Sequence, residues 1–169
     1  MAQLVIGAPV RGSWWSHPKS NDVYEVLEAL EDSPEVLQMK LVRGKLTLLH
    51  RSVWPELVAV ASAREPWQMR GLSRTARALL ARVEGAGTLR LDELEGWQAA
   101  TKPGDAAREL ETRLLVRTRE IHTESGRHTK RLESWSAFRS GAGLSDPLPS
   151  SATAKKTLGE LLPGAPWPR

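Results

Sequence analysis

The chain contains no cysteine, which excludes a disulfide framework, a thiolate metal site and a cysteine nucleophile, and makes a bacterial-type cytoplasm its least demanding location. Zinc-finger architectures are excluded with it. Rings other than indole are scarce, with one Tyr and one Phe against seven Trp. Packing or stacking by large aromatics therefore falls to tryptophan. No uncharged run approaches the roughly 20 residues that span a bilayer. Residues 1–10 include a short apolar stretch but lack the basic region that precedes one in a signal peptide. A soluble, cytoplasmic protein without a membrane partner is expected.

What is present suffices for a packed domain: 169 residues, of which 40% are hydrophobic and 26% charged. The net charge of +4 is unevenly placed. Residues 1–72 hold eight Lys/Arg and eight Asp/Glu, whereas residues 73–169 hold sixteen against twelve. The excess is C-terminal, where it permits a polyanionic partner.

Periodicity divides the chain into three parts. In residues 1–72, Val23, Val26, Leu27 and Leu30 recur at helical spacing behind the capping residues Ser20, Asn21 and Asp22. Pro34 ends that helix. Residues 36–42 and 45–50 then alternate around Arg43-Gly44, with Leu37, Met39 and Leu41 on one strand and Leu46 and Leu48 on the other, as a hairpin with one buried face. A helix is expected from Trp54 to about Ala63, which completes an α-β-β-α unit. Residues 64–72 show no periodicity and are expected to be a connection.

Residues 73–140 give a second series: a helix capped by Ser73 with Ala76, Leu79, Leu80 and Val83 on one face, then a short strand at 88–91 and a short helix from Asp92 to Trp97. A third helix is expected over 105–114, followed by a hairpin of 115–122 and 128–135 around a turn at 124–127. Residues 141–169, rich in Gly, Ser and Pro, are expected to form an extended tail with at most one short helical stretch at 153–162. The fold class is α+β.

The order of elements over residues 73–135 resembles the winged-helix superfamily, the helix-turn-helix variant in which a β-hairpin wing follows the recognition helix. The resemblance rests on element order alone. It implies binding of nucleic acid, duplex DNA foremost, with the third helix in the major groove and the wing on the backbone. On that basis Arg108 and Arg113 are expected to enter a groove, while Arg117, Arg119, Arg127, His128, Lys130 and Arg131 hold phosphates. The third helix carries Asp105, Glu109 and Glu111 against those two arginines, a net charge of minus one that opposes approach to phosphate. The hairpin, with Glu120, Glu124 and Glu133, has a net charge of plus two, which suits phosphate contacts or, equally, cross-strand charge pairs in solvent.

A second candidate is a pocket formed by Trp14, Trp15, His17, Lys19 and Lys40, in which an extruded base could stack. Core packing of the two indoles is the competing reading. Gln38 and Lys40 are faintly similar to the Gln-x-Lys element of restriction-type nucleases, but no aspartate stands on a strand just ahead of them. The histidines include no i, i+4 pair on an expected helix, and no phosphate loop, Gly-x-Ser-x-Gly elbow or His-Glu-x-x-His motif occurs. No metal or cofactor is expected. Nucleic-acid binding is favoured, ahead of a protein-interaction or homodimerisation module and of a DNA-repair or nuclease-like enzyme.

Overall fold

The computed structural model describes residues 2–31, 33–97, 102–123, 126–144 and 147–168. The chain is α+β with small sheets. It divides into two compact units, Met1–Gln38 with Leu48–Arg51, and Met39–Thr47 with Ser52–Arg169. The division runs through the first hairpin and not at residue 72.

In the first unit, α1 (Ala2–Ile6) packs on α2 (Ser20–Glu31), with a 3₁₀ turn at Trp14–Ser16 between them. Val23 is fully buried and Val26, Leu27 and Leu30 are half-buried, so the apolar stripe of α2 faces inward as its spacing requires. Strands β1 (Val36–Val42) and β2 (Lys45–His50) form a two-stranded sheet. Arg43 and Gly44 both take positive φ, 52° and 69°, as the two-residue turn of a hairpin requires. Leu37, Met39 and Leu41 are buried as expected. On β2 the buried residue is Leu49, while Leu46, beside the turn, is 52% exposed; the expected apolar face of that strand is not formed.

In the second unit, α3 (Trp54–Ser62) is buried on nearly every side, which its run Leu57, Val58, Ala59, Val60, Ala61 dictates. It packs against α7 (Trp135–Gly141) and α8 (Ser151–Leu161). Helix α8 falls on the helical stretch expected at 153–162, but it is packed into the unit and not part of an extended tail. Ser150 caps it by accepting from the Thr153 amide, and Ala154 and Leu158, one turn apart, are fully buried. Trp167 is buried as well. The 64–72 connection contains a one-turn helix, α4 (Pro66–Met69), too short to produce a period but started by Pro66 and by a capping box between Glu65 and Gln68.

The rest of this unit contains α5 (Arg74–Ala86), β3 (Thr88–Arg90), α6 (Pro103–Thr112), β4 (Arg117–His122) and β5 (His128–Glu133). The sheet order is β3-β5-β4, with both neighbours antiparallel to β5. Leu79, Leu80 and Val83 of α5, Ala106, Ala107 and Leu110 of α6, and Leu132 of β5 share one apolar core. The helix expected at 92–97 does not form. A 3₁₀ turn at Leu91–Glu93 takes its place, and the Glu95 amide bonds back to the Glu93 carbonyl, because so few residues before Gly96 cannot repay helix nucleation. Helix α6 starts two residues earlier than expected, at Pro103, and ends at Thr112, where Leu114 adopts a left-handed φ of 54° and the Leu115 amide bonds to the Leu110 carbonyl. Trp135, expected on the second hairpin strand, instead begins α7 behind the Ser134 cap, with its indole N–H donated to the Leu114 carbonyl at 2.8 Å. Among the described residues no helix is long and apolar enough to cross a membrane.

Candidate nucleic-acid interface

Helix α6 sorts its charges by face. Ala106, Ala107 and Leu110 are buried, so Glu109, Glu111 and Arg113 flank the core while Asp105, Arg108 and Thr112, at i, i+3 and i+7, remain outside with Lys102 ahead of them. Glu109 accepts from the Ser73 amide at 3.0 Å and the Ser73 hydroxyl at 2.6 Å, with the Arg113 guanidinium 3.8 Å away. Burial raises its carboxyl pKa, but the Ser73 hydrogen bonds and the nearby arginines more than reverse that, and the group lies below the usual carboxylate range. Glu111 behaves alike: burial raises it, and the bonds from Lys130, at 2.8 Å, and from Thr118 outweigh the burial. Two of the three carboxylates of α6 are thus matched to partners inside the unit.

Arg113, expected to enter a groove, points the other way. Its Nη1 donates to the carbonyls of Trp67 at 3.5 Å, Gln68 at 3.1 Å and Arg70 at 2.7 Å. Gln68, fully buried, returns the contact by donating to the carbonyl of Arg113 at 3.3 Å and to that of Ala61 at 3.0 Å. This reciprocal clamp satisfies carbonyls at the ends of three helices, where backbone acceptors lack intrahelical partners. Glu65 fixes α8 to α4 in the same manner, accepting from Lys155 at 2.8 Å, Ser151 at 2.7 Å and Trp67 at 2.9 Å, and the Lys155 and Ser151 bonds draw its pKa down.

The hairpin cations separate onto the two sides of the sheet. Lys130 and Glu120 oppose each other on the inner side, where Lys130 holds Glu111 and Glu120 pairs with Lys40 at 3.2 Å. Arg117, Arg119 and Arg131 lie on the outer side. Arg117 bonds Glu133 at 2.7 Å and lays its guanidinium over the Phe138 ring, 5.0 Å from the centroid. Arg119 and Arg131 are exposed. At the tip, Gly126 takes φ 74° and donates to the Thr123 carbonyl, the Thr123 and Arg127 backbones bond at 2.8 Å, and Arg127 and His128 project as exposed side chains. Residues 124 and 125 of the expected turn lie outside the described residues.

Within the first unit, Trp14 and Trp15 stack at 3.9 Å, with Tyr24 edge-on to Trp14 at 5.1 Å. Trp14 is half-buried and Trp15 is 58% exposed, so neither is a core residue. His17 Nδ1 accepts from the Lys19 amide at 3.1 Å, closing a local turn. Lys40 belongs to the second unit, where Glu120 engages it. Gln38 donates to the Leu27 carbonyl at 3.2 Å. Among the described residues no three His, Asp or Glu side chains are grouped to hold a metal ion.

Sequence reasoning missed Arg90. Strand β3 is three residues long, and only its register shows that Arg90 stands directly opposite Arg131. Arg90 bonds Asp92 through two nitrogens, at 3.3 and 2.8 Å, and Glu93 at 3.1 Å; these contacts hold the Asp92 carboxyl below its usual range. No protein-family model matches the chain, and neither does any curated protein or solved structure.

Proposed function

We propose that residues 73–140 form a winged-helix-like unit that binds duplex DNA. The observation that carries this reading is the sorting of charge on α6: Glu109 and Glu111 are held by Ser73 and Lys130, whereas Arg108 stays exposed on the face of the helix away from the core. The net negative charge of the helix, counted from sequence, is therefore not what its outer face presents. That face offers Lys102, Asp105, Arg108 and Thr112, a formal surplus of one cation, which suits a helix approaching a groove. The hairpin that follows α6 and the sheet order β3-β5-β4 support the same reading, with the 3₁₀ turn at Leu91–Glu93 standing where the family has its second helix, as does the projection of Arg127 and His128 at the hairpin tip.

In this arrangement Arg108 reads base edges, Thr112 and Lys102 contact the flanking backbone, and Arg127 and His128 touch phosphate beyond the groove. Arg113 and Lys130 are positioning residues: they fix α6 and the hairpin and do not touch DNA. Fluorescence anisotropy with a labelled duplex at two salt concentrations tests the reading, since log affinity should fall with log salt by about 0.9 per phosphate neutralised. No binding at low salt would overturn it.

A protein-interaction reading is favoured by a different observation, the exposed apolar groups of the first unit: Leu4 at 86%, Trp15 at 58% and Tyr24 at 45%. Its homodimer form fails if light scattering finds a monomer at high concentration.

A further inference from the structure

The outer side of the β3-β5-β4 sheet places three arginines in one cross-strand row. Arg90 of β3 and Arg119 of β4 both register with Arg131 of β5, one on each side. Side chains directly opposite on one face of an antiparallel pair have Cβ atoms about 4.5–5.5 Å apart, and like charges there oppose folding. Strand residues two apart share a face, so Arg117 and Glu133, themselves in register, form the adjoining row. Between the rows lies a cleft of about 90 Å³ lined by Arg117, Arg119, Arg131 and Glu133. Its lining carries three positive charges and one negative, a surplus of two.

Part of this charge is met within the unit. Arg90 is met by Asp92 and Glu93, and Arg117 by Glu133. Arg131, at the centre of the row, has no ion-pair partner among the described residues. A threonine at that position would keep the strand, as Thr129 on the same face does, without opposing two cations. An arrangement that weakens the fold locally and converges planar donors on one cleft has the chemistry of an oxyanion site, and guanidinium forks fit phosphate oxygens. A phosphate group presents three or more oxygens to guanidinium forks arriving from more than one side, where a carboxylate presents two.

We propose that this outer sheet face binds phosphate, with Arg131 at its centre and Arg119 and Arg117 beside it. It lies on the hairpin side opposite Lys130 and α6, and so is separate from the surface assigned above to duplex DNA. The phosphate can come from a small free phosphate compound or from a nucleic-acid strand passing behind the hairpin; the chemistry of the site is the same.

The test is a titration of the full chain with inorganic pyrophosphate, followed through the arginine Nε–Hε resonances and the Tm, in the wild type and in Arg131→Thr. Pyrophosphate is expected to move the Arg131 and Arg119 signals and to raise the Tm by mass action. Arg131→Thr is expected to weaken that binding about tenfold or more, while leaving the ligand-free Tm unchanged or higher. A lower ligand-free Tm would mean that Arg131 serves the fold and would overturn the proposal, as would the absence of any pyrophosphate response or a response of equal affinity to acetate. Duplex DNA supplies the second arm. If Arg131→Thr loses affinity for both ligands, the source is a nucleic-acid strand; if it loses pyrophosphate alone, the source is a small phosphate compound. Pyrophosphate binding by a protein that fails to bind DNA at all would remove the DNA reading and leave this site standing.

Discussion

On the inner side of the β3-β5-β4 sheet, Leu132 is fully buried and Lys130 reaches Glu111 at 2.8 Å, whereas on the outer side Arg90, Arg131 and Arg119 stand side by side. On the inner side the charged groups are matched in pairs; on the outer side Arg90 is met by Asp92 and Glu93 and Arg117 by Glu133, while Arg131 at the centre of the row has no ion-pair partner among the described residues. The difference sets Arg131 apart from the residues whose charge is matched within the unit. Helix α6 repeats the pattern within ten residues, with Glu109, Glu111 and Arg113 engaged internally and Arg108 exposed.

The strongest blow to the inner side is Leu132→Ala. The residue is fully buried between the sheet and the α5–α6 pair, so the loss is expected to be about 2–5 kcal/mol in chemical denaturation, with the outer arginines untouched. Arg113→Ala follows at about 2 kcal/mol, because it strips a charged donor from the carbonyls of Gln68 and Arg70, the first of them half-buried.

Glu111→Gln is expected to cost about 1 kcal/mol near neutral pH, and it should also change the acid limb of the stability curve. Glu65, Glu109 and Glu111 all have folded-state pKa values lowered from 4.5. A lowered carboxylate contributes stability that is fully present above its unfolded pKa and is lost as pH falls through the folded value. Wild-type stability should therefore fall below about pH 4.5, and Glu111→Gln should make that fall shallower, measured as ΔG of unfolding at stepped pH. The smallest effect has the opposite sign. Arg131→Thr should raise stability by a few tenths of a kcal/mol, because it removes like-charge opposition from the outer row.

Local pattern was enough for the parts that depend on local pattern. Ser20–Glu31 and the first strand of the first hairpin follow from helical and alternating periods, the second strand in its place but not in its buried face, and the Ser73 cap from its position before Ala76, from whose amide it accepts. Short elements escaped because they have no period to show: α4 spans one turn and the 3₁₀ turn at Leu91–Glu93 less. Helix α8 was legible as a helical stretch at 153–162, but composition gave no sign that its Ala154–Leu158 pair is buried in a helix packed on α3. For the candidate interface, the hairpin's cations were legible but their sides were not. Lys130 and Arg131 are adjacent in sequence and point to opposite faces, and that parity decides which one pairs with Glu111. Arg113 looked like Arg108 in sequence, and only the arrival of α4 beneath it shows that its donors are already committed.

Arg108 and Arg113 therefore give the most direct measurement: anisotropy titrations of one labelled duplex at low salt with wild type, Arg108→Ala and Arg113→Ala, each at a temperature where circular dichroism shows it folded. Arg108→Ala should lose about tenfold in affinity with unchanged stability, and Arg113→Ala should lose stability while the folded protein retains most of its affinity. Equal affinity of Arg108→Ala and wild type for duplex DNA would contradict the assignment of the outer α6 face to nucleic acid.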